Sequence, residues 1–256
     1  MQLDIKSVKN FSFCPKYYQY AHIHKEPVPI ALSTYSRKLL KTLLLGYFRG
    51  KLIDKDITPH DVNTSWAEHF YKDPSACKYS ISDEKTDQFN LGISYIQVFF
   101  NQVRPRGFTG KIIKTDDEIF VNVGEDVFYG TVDVIRDIQR PRGRVREILY
   151  VNPFKKRGNH LDLEILGQAY LYIKKYKTYG IHISSYDMVK GKTDKYFKSK
   201  EEVQIFEEIL LNAFNNIKNN RFPRVLELQH GGKCLRCPFK DICLSPFENG
   251  QTRGLV

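Results

Sequence analysis

Apolar residues recur at helical spacing over the first hundred positions and then switch to the two-residue alternation of strands. Val8 and Phe11 form one side of a short helix running toward Cys14, with Ser7 as its cap and Pro15 as its stop. Leu32, Tyr35, Leu39, Leu40, Leu43, Leu44 and Tyr47 keep a period of three to four, which predicts a helix over Leu32–Phe48. Thr58-Pro59 reads as a cap followed by a first-turn proline. Trp66, Phe70 and Tyr71 anchor the helix it starts, and core packing is the better reading of these rings than base stacking. Phe89, Ile93, Ile96, Phe100 and Val103 predict a third helix, ended by Pro105.

Beyond Pro105 the period changes. Lys111–Thr115 and Ile119–Val123 read as two short strands folded about Asp116-Asp117, and Phe128–Ile135 and Val145–Val151 as two more. Leu163, Leu166, Tyr170 and Ile173 predict a helix over Leu161–Tyr176. A strand over Ile181–Val189 follows, then a turn at Gly191-Lys192 and a helix over Glu201–Asn219. With no repeat and no low-complexity linker, the expectation is a single α/β unit over 1–256. Residues 15–105 are mainly helical, 106–220 form the core, and Cys14 closes against 221–256.

Composition narrows the class. At 41% hydrophobic and 13% aromatic, the chain can build a core and is not a disordered polymer. No apolar run reaches the roughly 20 residues that span a bilayer, and Met1–Lys6 lacks the apolar stretch of a signal peptide. The expected location is therefore the cytoplasm, with reduced thiols and no membrane partner. A formal net charge of +11, from 40 Lys and Arg against 29 Asp and Glu, points to a polyanionic partner, nucleic acid by default.

Five cysteines are present, and three of them lie in Cys234-Leu235-Arg236-Cys237-Pro238-Phe239-Lys240-Asp241-Ile242-Cys243. The C-x2-C pair offers two thiolates on one turn, as zinc and iron–sulfur sites require, and Cys14 would supply a fourth from far upstream. Spacing alone leaves zinc and a 4Fe–4S cluster open. Cys77 stands by itself and reads as an ordinary thiol.

Several short motifs occur in a shared order. Gly130-Thr131-Val132-Asp133 resembles the Gly-x-x-Asp strand of RecB-like nucleases, and Gln168-Ala169-Tyr170-Leu171-Tyr172 resembles their Gln-x-x-x-Tyr helix. Cys14-Pro15-Lys16-Tyr17-Tyr18 with the closing cysteine run is similar to their iron–sulfur branch, which includes the CRISPR-associated Cas-four family and the AddB nuclease domain. The resemblance covers nearly the whole chain. It implies an α/β fold with the restriction-endonuclease-like PD-(D/E)xK core, a helical insertion and a C-terminal iron–sulfur cysteine loop. It also implies a 4Fe–4S cluster on Cys14, Cys234, Cys237 and Cys243, and magnesium or manganese on Asp133 in an active enzyme. DNA, single-stranded or with single-stranded ends, would be the substrate or ligand. CRISPR integration proteins or another DNA-processing complex would be the partners.

The catalytic strand departs from that pattern. It reads Tyr150-Val151-Asn152-Pro153-Phe154-Lys155-Lys156, with Asn152 where the acid belongs and Phe154 where the lysine belongs. An amide is a weaker metal ligand than a carboxylate, and a phenyl ring cannot act on water or phosphate. Residues 33–41 also lack the histidine of the family's helical segment. Asp133, Gln168 and Tyr172 remain in pattern. The first expectation is a DNA-binding protein with a degenerate site, a non-catalytic or weakly active subunit in DNA end processing or CRISPR spacer acquisition. The second is a metal-dependent exonuclease in which a bulge at Pro153 turns Lys155 inward and Glu147 or Glu164 replaces the acid. By strand parity Glu147 should face away from Asn152. The third is a scaffold subunit that touches no DNA.

Arg136, Arg140, Arg142, Arg144 and Arg146 lie between the Asp133 strand and the Asn152 strand, and Lys155, Lys156 and Arg157 follow. Guanidinium forks suit phosphate oxygens, so these residues are the expected DNA contacts, at a tip projecting near the Asp133 end. A second basic hairpin, carrying Lys190, Lys192, Lys195, Lys198 and Lys200, reads as a solvated surface.

Overall fold

A computed structural model describes residues 1–28, 31–72, 82–103, 110–141, 143–151, 162–187, 192–225, 234 and 237–243. Asn152, Phe154, Lys155, Lys156, Arg157, Arg142 and Cys77 lie outside the described residues.

The chain is mixed α/β. Strand β1 (Gln2–Asp4) leads into α1 (Ile5–Phe13), then α2 (Pro15–Tyr18), which widens into a π-helical turn at Gln19–Ile23. Helices α3 (Leu32–Leu52), α4 (Pro59–Lys72) and α5 (Ser82–Val98) follow, the last continued by a π-helical turn at Phe99–Val103. Then come β2 (Lys111–Val123), β3 (Asp126–Arg140), β4 (Gly143–Tyr150), α6 (Leu163–Tyr176), β5 (Gly180–Asp187), β6 (Lys192–Ser199) and α7 (Lys200–Lys218). No helix among the described residues is long and apolar enough to cross a membrane.

The helix starts follow from side-chain capping. The Oδ1 of Asp4 accepts the Ser7 amide at 2.7 Å, so Asp4 caps α1 and Ser7 lies inside its first turn, not before it. An aspartate three residues ahead satisfies an orphan amide as well as a serine would. At α7, Ser199 Oγ accepts the Glu202 amide and Glu202 returns a bond to the Ser199 amide, a capping box.

The six strands form one mixed sheet in the order β1-β3-β4-β5-β6, with β2 on the other flank of β3. β1 runs parallel to β3 and β4 parallel to β5; the other pairings are antiparallel. Two expected short strands are one: β2 runs unbroken from Lys111 to Val123 along β3, and Asp116 adopts φ +50° within it rather than opening a hairpin. The left-handed backbone that aspartate tolerates is held within the strand without a change of register, and the irregularity of the ladder falls instead between Ile112 and Lys114. The arginine segment is the far half of the β3–β4 ladder, with Arg140 opposite Gly143.

Helices cover both faces. On one, α1, α6 and α7 bury Val8, Phe11, Tyr170, Phe206 and Phe214 against Phe128, Val132 and Ile148 of the sheet. On the other, α3, α4 and α5 bury Leu40, Leu44, Phe48, Trp66, Phe70 and Ile96 against Val134, Leu149 and Val151. Trp66 and Phe70 are fully enclosed and the Trp66 indole donates to the Phe89 carbonyl at 3.2 Å, as core packing requires, whereas Tyr71 stays 49% exposed.

Candidate functional site

Strand alternation breaks at Asp133. Val132 packs under α6 and Val134, two residues on, packs under α3 on the opposite face. Regular alternation would put both on one face. The facing strand carries its left-handed residue, Asp116, between the partners of Val132 and Val134. The break frees both the backbone and the side chain of Asp133 for other partners. Its amide donates to Gln168 Oε1 at 3.2 Å, and its Oδ2 accepts the Val151 amide at 2.9 Å. Its Oδ1 meets Lys41 Nζ of α3 at 2.8 Å. Only 2% of Asp133 is exposed.

A cleft of about 470 Å³ opens over this group, lined also by Asp116, Glu118 and Glu164. Glu164, in the first turn of α6, is paired with Lys9 of α1 and accepts the Tyr150 hydroxyl. Lys41 lies 5.3 Å from the centre of the Tyr150 ring, so Tyr150 connects the two carboxylates. Their proton affinities are driven apart. Burial pushes Asp133 above the usual carboxylate range despite Lys41. At Glu164 burial acts the same way, but Lys9, Tyr150 and Lys41 outweigh it and hold the group below its usual range. An ammonium thus occupies the Asp133 oxygen that a divalent cation would need.

Glycine-130 of the Gly-x-x-Asp segment has a packing reason. A Cβ there would meet Ile5 Cδ1 at 2.8 Å, because Ile5 is wedged between β3 and α6. Tyr172, one helical turn beyond Gln168, does not reach the cleft. It is buried and bonded to Arg146, whose guanidinium is held by both oxygens of Asp137 at 2.8 and 3.1 Å. Glu147 is also apart from the cleft, buried against Arg136 at 2.5 Å. Lys41 was missed as a site residue because the segment 33–41 reads only as a helix without histidine. Its one signal is position: it stands four residues before Leu45, on the side of α3 that meets the sheet, and both line the cleft.

Among the described residues, the arginines of this segment do not form one free stripe. Arg136 is buried on Glu147, Arg140 reaches the same carboxylate at 3.7 Å, and Arg146 is chelated by Asp137. Arg144 is exposed. The turn lies seven residues along β3 from Asp133, about 23 Å of strand, and so projects away from the cleft instead of beside it. Long strands carry a hairpin tip far from the residue at their middle.

The two cysteine segments meet. Phe239 is 2% exposed, and its ring packs 5.3 Å from Tyr17 and 5.4 Å from Tyr20, in and after the helix that Cys14 precedes. Turn bonds run from the Cys237 amide to the Cys234 carbonyl and from the Cys243 amide to the Phe239 carbonyl. Cys14, Cys234, Cys237 and Cys243 are free thiols. Burial pushes Cys237 and Cys243 up, and the charges of Cys14 and Cys234 push both further. The four therefore share one neighbourhood. Among the described residues, no three His, Cys, Asp or Glu groups are arranged as a metal-holding set.

Comparison with protein-family models gives no match, and no curated protein matches. Among solved structures, the crystal structure of SSO0001 is 14% identical with a TM-score of 0.41, covering 95% of this chain and 86% of that chain. Likeness at this level transfers neither a family nor an activity.

Proposed function

We propose that this chain is a DNA-binding protein built on a restriction-endonuclease-like PD-(D/E)xK core, akin to the iron–sulfur RecB-like nucleases, whose nuclease site has been replaced by an internal ion pair. The observation that carries the reading is Lys41 Nζ at 2.8 Å from Asp133 Oδ1. It agrees with Asn152 and Phe154 standing in the acid and lysine positions. The ligand is DNA with single-stranded character, and the partners, on the resemblance, are CRISPR integration proteins or a similar DNA-processing complex. Cys14, Cys234, Cys237 and Cys243 would hold a 4Fe–4S cluster, whose chemistry here is structural. Support comes from the packing of Phe239 against Tyr17 and Tyr20, which brings the two cysteine segments together.

The purified protein, incubated with end-labelled single-stranded DNA and manganese, should release no ladder. A ladder abolished by Asp133→Ala would overturn the reading in favour of a metal-dependent exonuclease in which Lys41 yields its place. Salt-sensitive DNA binding, weakened by Arg140→Glu with Arg144→Glu, is expected, and binding indifferent to both changes would favour a scaffold without DNA contact. Iron content with a visible charge-transfer band should accompany the anaerobically purified protein; zinc in its place would remove the cluster from the proposal.

A further inference from the structure

Five cations outside the Asp133 cleft gather on the sheet face that carries α6. Lys111 stands opposite Asp137 and Lys114 opposite Ile135 in the β2–β3 ladder. From β4, Arg146 stands opposite Asp137 and Arg144 opposite Gln139. Directly opposed residues share a face, and so do residues two apart on a strand, which places these four with Ile135 of the α6 core. The last turn of α6 adds Lys175, whose Nζ lies 3.1 Å from Asp117 Oδ1 and 5.4 Å from the centre of the Tyr176 ring.

Two buried carboxylates lie beneath them. Asp117 accepts Lys114 Nζ at 2.9 Å, Lys175 Nζ at 3.1 Å and the Tyr176 hydroxyl at 2.8 Å. Asp137 accepts the Arg146 guanidinium through both oxygens, and the charges of Arg144 and Lys111 join that bond in holding its carboxyl below the usual range. The cations are the solvent side of each pair. About half of the Lys114 and Arg146 side chains and a third of Lys175 reach water, and Lys111 and Arg144 are exposed. The carboxylates fix three of the five heads and leave the row positive. It runs from Lys114, opposite Ile135, to Arg144, opposite Gln139, about 13 Å of strand. A single anion needs cations that converge on one point, whereas a row of this length suits consecutive phosphates of one strand.

From this we infer that Lys111, Lys114, Arg144, Arg146 and Lys175 form the track for the phosphate backbone of single-stranded DNA. The inference rests on the DNA-binding reading and deepens it, because it moves the contact from the hairpin tip to one face of the ladder. Arg136 and Arg140 turn to the opposite face, onto Glu147, and are not part of the track. Phosphate contacts carry no base information, so binding by this face is indifferent to sequence and falls with salt.

The full-length protein is titrated with a fluorescein-labelled oligothymidylate at several salt concentrations, and binding is read as anisotropy. Lys111→Gln with Arg144→Gln should weaken binding at low salt ~10-fold or more. The slope of log affinity against log salt should shrink by about 1.4, since each phosphate contact to a single strand contributes about 0.7. Both groups are exposed, so the melting temperature of the free protein should not move. A matched change away from the face, Lys38→Gln with Lys195→Gln, also alters exposed lysines and should leave affinity and slope at the parent's values. In the unaltered protein, the oligothymidylate should slow acetylation of Lys111 and Lys114 and not of Lys195. A slope that survives the Lys111 and Arg144 changes, or acetylation of Lys111 and Lys114 untouched by bound DNA, would overturn the track and leave the DNA-binding reading standing. No binding by the parent protein at low salt would overturn both.

Discussion

Lys41 and Asp133 decide the character of the cleft because one is enclosed and the other is not. Asp133 is 2% exposed while about a third of the Lys41 side chain reaches solvent. Removing the lysine leaves a buried carboxylate with the Val151 amide and the Gln168 side chain as its remaining partners among the described residues. Lys41→Met should therefore cost about 2–3 kcal/mol at neutral pH. The loss should shrink in acid, where Asp133 takes up a proton, and Asp133→Asn in the same chain should recover most of it. Urea melts across pH check both statements. The signs differ among the carboxylates. Asp133, raised on folding, costs stability as pH climbs through the ordinary carboxylate range toward its folded value. Asp117 behaves in the opposite way. Burial opposes its ionisation, but Lys114, Tyr176 and Lys175 donate to it and hold it below its usual range. Its contribution is present at neutral pH and is lost as pH falls through the lowered folded value. Asp117→Asn should destabilise at pH 7 and converge on the parent at low pH; a gap constant with pH would contradict this.

At the scale of elements, packing sets the tolerance of each helix. A Cβ at position 92 of α5 would lie 2.1 Å from Trp66 Cζ2, and the indole is enclosed and held by its bond to the Phe89 carbonyl. Gly92→Ala should destabilise by about 1–3 kcal/mol, read as a lower melting temperature with an unchanged circular-dichroism spectrum. Helices α3, α4, α6 and α7 were legible because their apolar stripes repeat over many turns. β1 was not, since three residues cannot display a period, and it exists only because β3 offers Val127–Tyr129 as a parallel edge. The length of β3 was hidden for a related reason. Its far half alternates charged residues whose partners, Glu147 for Arg136 and Arg146 for Asp137, come from β4, so polarity there marks cross-strand pairing rather than a loop. Lys41 escaped because nothing in a helical stripe tells a lysine that snorkels to water from one that turns inward to a carboxylate.

For the whole molecule, the meeting of the cysteine segments was legible from spacing alone, and the residue that joins them was not. Phe239 does the packing, between Tyr17 and Tyr20. Phe239→Ala should release the cysteine turn at a cost of about 3 kcal/mol, seen as faster thiol labelling of Cys237 and Cys243 with β3 and β4 still protected from hydrogen exchange. Labelling at the parental rate would show that the turn is held by something else.

That contact also has a place in time. It joins residues 17 and 239, and closing so long a loop from an open chain costs on the order of 5 kcal/mol of entropy. No single ring contact recovers that cost. The sheet must form first and bring the segments within reach, which makes the clasp a late event in folding. Four thiols assembled this way can be gathered only by a chain whose sheet is already correct. Uptake of the proposed cluster, where it is bound, would then act as a checkpoint, separating finished molecules from unfinished ones.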